Sequence, residues 1–224
     1  MQQNAGDEVS TVGISRVLSE KDLGVTFDCE LNFKEHITNI TKKASQIMGI
    51  IRRSFMNLDP EIFKPLYISL VRSILEYGQP LWSPFRKGEI KRLEAVQKNA
   101  TRKINGFKEL SYEERLRKLD LPTLYFRRLR GDMIECFKIL HNIYDNEVSL
   151  KLPRADGNLR GHEYKLFKRR TLSLDLRKHF FSNRIVEPWN NLPSDVVTAP
   201  SLNAFKGRLD KYWKDHPYKF KALE

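Results

Sequence analysis

Residues 66–107 read LYISLVRSILEYGQPLWSPFRKGEIKRLEAVQKNATRKINGF, and a chain containing this stretch has few ways to fold. Leu66, Tyr67, Leu70, Val71, Ile74 and Leu75 recur every three or four residues, which places them on one broad apolar stripe of a helix. Gly78 supplies a stop. Pro80 and Pro84 then bracket Leu81 and Trp82, and because proline disfavours helix in the residue before it, this corner is expected to be extended or turned. After the corner, Ile90, Leu93, Val96, Ala100 and Ile104 share one face of a second helix, while Lys91, Lys98 and Arg102 share the opposite face. That basic ladder has spacings of seven and four, suited to tracking a phosphate backbone; the plainer reading is a solvated helix face.

Charge distribution favours the first reading. The 224 residues carry 40 Lys and Arg against 28 Asp and Glu, a net +12 that points to a polyanionic partner. Residues 86–130 hold fourteen basic and six acidic side chains, and residues 160–184 hold eight and two. These two surpluses exceed the whole net charge, so the remainder is slightly acidic. Localised basicity is the footprint of nucleic-acid binding, although an anionic lipid surface would also suit it.

The other elements follow from local signals. Residues 9–27 read as a β-hairpin, with Ser19-Glu20-Lys21-Asp22 as its turn. A lone hairpin is marginal in water, so it is expected to pack on helices or to belong to a larger sheet. Ile37, Ile40, Ala44, Ile47, Met48 and Ile51 mark a helix over residues 34–55 with Asn32 as cap, and Asp59-Pro60 opens the next. Ser111 and Glu114 have capping-box spacing. Pro122 starts the longest helix, with Phe126, Leu129, Met133, Phe137, Leu140 and Tyr144 on one side and Arg127, Arg128, Gly131 and Lys138 on the other. A helix-interior glycine costs about 1 kcal/mol relative to alanine. Gly131 therefore implies either a tight helix crossing or the close approach of something such as a nucleic-acid backbone.

Residues 149–159 lose periodicity and read as a linker. The organisation expected is a hairpin over 1–30, a helical domain over 31–148, the linker, a small basic unit over 160–216 anchored by Phe180, Phe181, Ile185 and Trp189, and a tail over 217–224. Ser201 is expected to cap the last helix. The fold class is mostly α: a helical bundle with a short N-terminal β-hairpin and a small C-terminal α(+β) unit.

Enzyme signatures are missing from the sequence. It has no phosphate loop, GxSxG elbow, HExxH or adjacent aspartate pair suited to two metal ions, and its five histidines are scattered. Cys29 and Cys136 form neither a CxxC pair nor a disulfide framework. No metal and no cofactor is expected. No window approaches the roughly 18 consecutive apolar residues of a membrane span, so the expectation is a soluble protein of a reducing compartment, nuclear or cytoplasmic, without a membrane partner. Lys and Arg are interleaved with aromatics at Trp82-Phe85-Arg86-Lys87, Tyr125-Phe126-Arg127-Arg128 and Tyr164-Phe167-Lys168-Arg169-Arg170. The candidate nucleic-acid contacts are Lys91, Lys98, Arg102, Lys103, Arg127, Arg128, Lys138, Lys168, Arg169 and Arg170.

The runs DLGVTFDCELNFKEHI, LYISLVRSILEYGQPLWSP, IKRLEAVQKNATRKI, YEERLRKLDLPTLYFRRLRGDMIECFKIL and FFSNRIVEPWNNLPSDVV resemble, in order over residues 22–213, the region downstream of the catalytic palm in reverse transcriptases of LINE-type non-LTR retrotransposons, especially the jockey-like group. The resemblance implies a helical thumb that grips a template–primer duplex, a C-terminal segment that binds element RNA, and a hairpin that is the last piece of the palm. It also implies partners: RNA, an RNA–DNA or DNA duplex, and the catalytic part of the parent polymerase. The chain departs from the family at Ser73, where a proline is common, so this helix is expected to be less kinked; Lys98-Asn99 stands where two adjacent basics are frequent. The palm's Phe/Tyr-Ala-Asp-Asp block is absent, and without those carboxylates two-metal nucleotidyl transfer is impossible. The expectation is a non-catalytic remnant or fragment that binds nucleic acid. Its rivals are a protein–protein module meeting an acidic partner and an inert translated relic. Phosphate contacts by Lys91, Lys98, Arg102, Arg127 and Arg128 predict a log–log salt slope of about −4 on duplex.

Overall fold

The computed structural model describes residues 17–145, 147–155, 161–168 and 175–223. The fold is mostly helical with one short antiparallel hairpin, as the patterning implies. Strands β1 (Ser19–Asp22) and β2 (Val25–Asp28) pair with Ser19 opposite Asp28 and Asp22 opposite Val25. The residues expected to form the turn are therefore the first strand. Leu23 and Gly24 make the turn instead, both at positive φ (44° and 86°), the geometry of a two-residue hairpin whose twist matches its strands. Val25 enters the core beside Gly78, where a Cβ would lie 3.1 Å from the valine methyl. The Tyr77 hydroxyl donates to Leu23 O at 2.8 Å and pins the hairpin tip. Residues 9–16 of the expected hairpin lie outside the described residues.

Helix α1 (Lys34–Ser54) buries Ile37, Ala44, Met48 and Ile51. Its N-cap is Phe33 in the left-handed region rather than Asn32, though Asn32 Oδ1 accepts the Lys34 N–H at 2.9 Å. The Asp28 carboxylate accepts the N–H groups of Glu30, Asn32 and Phe33, holding a loop that contains two non-glycine positive-φ residues, Leu31 and Phe33.

The apolar helix at the centre of the chain runs as α2 (Pro60–Leu66), a π-helical stretch over Tyr67–Arg72, and α3 (Ser73–Glu76). Phe63, Tyr67, Val71 and Leu75 are its buried residues, at a strict four-residue interval. An α-helix lets such a repeat drift by about 40° per step, and the wider π turn offsets that drift. Leu70, expected on the buried stripe, is exposed for this reason. Where a straighter helix was expected from Ser73, the departure from α geometry lies just before it.

The corner is not extended. Gly78 adopts φ 64° and launches α4 (Gln79–Trp82), a single helical turn that accommodates Pro80 near its start. Trp82 is buried and donates from Nε1 to Tyr77 O at 2.7 Å. Helix α5 (Lys87–Thr101) follows, then α6 (Tyr112–Leu119), where Ser111 and Glu114 form the expected capping box. The long helix α7 (Leu124–Leu140) is capped by Thr123, whose hydroxyl accepts the Phe126 N–H.

The remaining helices are short: α8 (Asp175–His179), α9 (Phe181–Arg184), α10 (Val186–Asn190), α11 (Ser194–Val197) and α12 (Leu202–Tyr212). Ser201 caps α12, accepting the Ala204 N–H at 3.2 Å. The only strand-like pairing among the described C-terminal residues is the bridge between Arg154 and Leu166. Ile185 and Trp189 anchor this part as expected, with Phe181 only partly buried and Phe180 exposed.

Two apolar cores form, and they part at the start of α7, between Leu124 and Phe126. The first runs from Val25 to Leu124. The second takes Phe126, Met133, Cys136, Phe137 and Leu140 from α7 and combines them with Trp189, Phe205 and Leu209. The last residues return to the junction: Thr123 N donates to Lys219 O at 2.8 Å, Thr123 Oγ1 donates to Tyr218 O at 2.7 Å, and Phe220 packs on the first core. Among the described residues no helix is long and apolar enough to cross a membrane.

Candidate nucleic-acid interface

Helix α5 forms because Leu93, Val96 and Ala100 are drawn into the first core on one side, where Ile90 is also buried. The opposite side leaves Lys91, Lys98, the C-terminal residue Arg102 and the adjacent Lys103 exposed. Among the described residues none of these four side chains has an ion-pair or hydrogen-bond partner. From Lys91 to Arg102 the helix advances about 16 Å, a length that spans several backbone phosphates. Lys98 and Arg102 stand four apart, where like charges repel by a few tenths of a kcal/mol; the C-terminal end of the helix dipole offsets part of this. Lys91 and Lys98 also border an open groove of about 500 Å³, whose far wall is Tyr112, Glu113 and the C-terminal residues Phe220, Lys221 and Leu223.

The other expected contacts are placed differently. Arg128 is only 3% exposed, and its guanidinium lies inside the protein. Arg127 is half-buried and closes a two-pronged bond onto Glu76, with Nη2 at 2.8 Å from Oε2. Both were expected on a solvent face, and both are corrected for one reason: α7 lies between the two cores, so a helical wheel with a single buried side misassigns its inner turn. Lys138 is partly buried and holds Tyr144 Oη at 3.0 Å and Glu135 at 3.4 Å; the tyrosine bond, above all, raises its pKa. Lys168 is exposed, 4.0 Å from Glu187. Arg169 and Arg170 lie outside the described residues. The structure thus brings Lys91, Lys98, Arg102 and Lys103 together and separates them from Lys138 and Lys168, which belong to the second core's surface.

Behind the cationic face runs a buried polar chain that the sequence reading missed. Glu94 accepts the Tyr112 hydroxyl at 2.6 Å and the N–H groups of Leu124 and Tyr125, tying α5 to α6 and to the first turn of α7. Burial raises the Glu94 carboxyl pKa, against the pull of these donors. Burial and the Glu94 charge push the Tyr112 phenol far above its usual range. Gln97 accepts the Tyr67 hydroxyl at 2.8 Å and donates to Tyr112 Oη and Pro122 O. Arg115, also buried, donates to Lys98 O at 3.0 Å. The signal for Gln97 was legible: it sits four residues after Leu93 and seven after Ile90, on the apolar stripe itself.

Gly131 resolves as a tight crossing. A Cβ there would lie 1.9 Å from Gln79 Nε2, so the space beside α7 that a side chain at this position would need is taken by the Gln79 amide of α4. Cys136 is buried, and burial raises its thiol pKa well above the ordinary value, leaving an unreactive thiol. Among the described residues no three His, Cys, Asp or Glu side chains gather as a metal site requires.

The chain is similar to an uncharacterized protein of Caenorhabditis elegans, 27% identical over 129 residues. That match covers 56% of this chain and 63% of the relative, less than two thirds of its length. No protein-family model matches the chain, and no solved structure matches it.

Proposed function

We propose that the protein is a non-catalytic nucleic-acid-binding module that grips a duplex through its phosphates, a helical thumb derived from a non-LTR retrotransposon polymerase. The observation that carries the binding reading is the exposed face of Lys91, Lys98, Arg102 and Lys103, four cations without partners among the described residues. Such a row is electrostatically unsatisfied in the free protein, and a polyanion satisfies it. The retroelement origin rests on the ordered sequence blocks over residues 22–213. The affinity of the full chain for a primer–template duplex, measured against salt, tests the binding reading. With Lys103 counted and Arg127 and Arg128 withdrawn, four contacts give a slope of about −3.6.

One observation favours a second partner, the catalytic part of a parent polymerase. Strand β1 buries none of its residues, and Leu18 and Leu23 are 79% and 83% exposed at the two ends of this hairpin strand. An exposed strand edge flanked by large apolar side chains is a template for pairing with another sheet.

A further inference from the structure

We propose that a groove between the 83–85 segment that follows α4, the start of α5, α7 and α9 is a phosphate-binding site in which Arg128 receives the oxyanion of a phosphate ester. The groove has a volume of about 370 Å³ and is lined by Lys87, Tyr125, Arg128, Asp132 and Arg184, with Phe85 on its wall.

Arg128 is the reason. Its side chain makes no hydrogen bond or ion pair among the described residues, and Nη2 is wholly buried without an acceptor. A guanidinium carries five donors and keeps its proton in proteins, so it cannot escape an unsatisfied position by neutralising. The three nearby carboxylates are already engaged, Glu76 by both prongs of Arg127. Asp132 accepts both prongs of Arg184 at 2.9 Å, and Glu94 accepts Tyr112, Leu124 N and Tyr125 N. They offset the Arg128 charge through space but leave its donors without acceptors.

The lining otherwise selects an anion with more than one charge. Lys87, Arg128 and Arg184 stand against the single carboxylate of Asp132. Lys87 is exposed at the rim and has no partner among the described residues, so it is free to close on a ligand. The planar fork of arginine matches phosphate in two-pronged geometry. Phe85, stacked on His179 at 4.0 Å with rings 3° apart, and Tyr125 give the groove aromatic walls beside the cations. A volume of this size holds a phosphate with an attached nucleoside. The ligand chemistry is a phosphate monoester, free as a nucleotide or borne at a strand end. Only the strand-end form rests on the nucleic-acid reading above; phosphate capture by Arg128 does not.

The test is calorimetric titration and thermal unfolding of the full chain with inorganic phosphate, a nucleoside 5′-monophosphate, and one oligonucleotide with and without a 5′-phosphate, all against chloride at equal ionic strength. The expected result is saturable binding of the monophosphate and a rise in Tm that chloride does not reproduce. Arg128→Met, which removes the buried charge while keeping volume, lowers that affinity by about ten- to a hundredfold. Lys87→Gln, at the rim, lowers it about two- to fivefold. Tighter binding of the 5′-phosphorylated strand than of its unphosphorylated twin assigns the strand end; equal binding of the two, with the monophosphate still bound, assigns the free nucleotide. Reversing Lys91, Lys98 and Arg102 weakens duplex binding and leaves monophosphate binding unchanged, so the two readings fail separately. The proposal is overturned if the wild-type chain shows no saturable response beyond chloride, or if Arg128→Met retains the response. If Arg128→Met does not fold, Lys87→Glu decides: a loss of about tenfold or more supports the site, and an unchanged response overturns it.

Discussion

The side-chain amide of Gln79 fills the space that Gly131 leaves by lacking a Cβ, and from there Nε2 donates to Arg128 O at 3.2 Å. This contact joins the corner after the apolar helix to the long helix that both cores share. Gly131→Ala should therefore destabilise the protein. In an open helix the change would gain up to about 1 kcal/mol, but here the Gln79 amide must swing away and leave buried groups unpaired, which costs about 1–3 kcal/mol. Chemical denaturation should show a net loss. The double variant Gln79→Ala/Gly131→Ala should recover stability relative to Gly131→Ala, giving a coupling energy in a double-mutant cycle.

Removing the partner of Arg184 should be more damaging. Asp132 is buried and takes both prongs of Arg184, which also reaches Pro80 O at 2.9 Å and so ties α9 to α7 and α4. Asp132→Ala leaves that guanidinium without its counter-charge, a loss of about 3 kcal/mol by denaturant unfolding. Changing both residues to apolar ones of similar size should cost less than the single change.

Thr123 secures the chain's return. Its hydroxyl accepts from Phe126 N and donates to Tyr218 O, and its own N–H donates to Lys219 O. Thr123→Val keeps the shape and the backbone bond but removes the cap, with an expected loss of about 1–2 kcal/mol. Amide hydrogen exchange should show faster exchange at Lys219 and at the first turn of α7, with α1 unaffected.

Stability should fall on acidification below about pH 6.5. Burial, the largest cause in each case, holds His36, His162 and His216 below the ordinary imidazole value of 6.5. The unfolded chain then binds more protons than the folded one, so stability is complete above 6.5 and is lost as pH falls through the folded values. Glu94 contributes the opposite slope: its raised pKa makes the folded state the better proton binder above the ordinary carboxylate value of 4.5, so its contribution declines as pH rises from there. In thermal unfolding across this range, His36→Asn should reduce the acid loss. Glu94→Gln should gain on the wild type as pH increases from 4.5 towards neutrality.

Local signals carried far. The Ser111–Glu114 capping box, the Ser201 cap, the Asp59-Pro60 start and the apolar face of α5 stand where residue chemistry implies. What escaped involves contacts distant in sequence. Arg128 cannot be recognised as buried from its own helix, because the second surface covering α7 comes from α4 and α5, some thirty to fifty residues earlier. Ser19-Glu20-Lys21-Asp22 has turn composition, but the turn forms where Gly24 supplies one of its two positive-φ positions, and Leu23 takes the other despite its side chain. The C-terminal return is invisible to periodicity, since it depends on two backbone carbonyls meeting Thr123.

The central claim concerns the exposed face of α5, and the salt dependence of duplex binding tests it most directly. For the full chain, a plot of log K against log salt on a primer–template duplex should have a slope of about −3.6, and Lys91→Glu/Lys98→Glu/Arg102→Glu should flatten it by about two to three units while leaving thermal unfolding nearly unchanged. Weak, salt-indifferent binding by the wild type, or a slope that the triple reversal leaves unaltered, would contradict it.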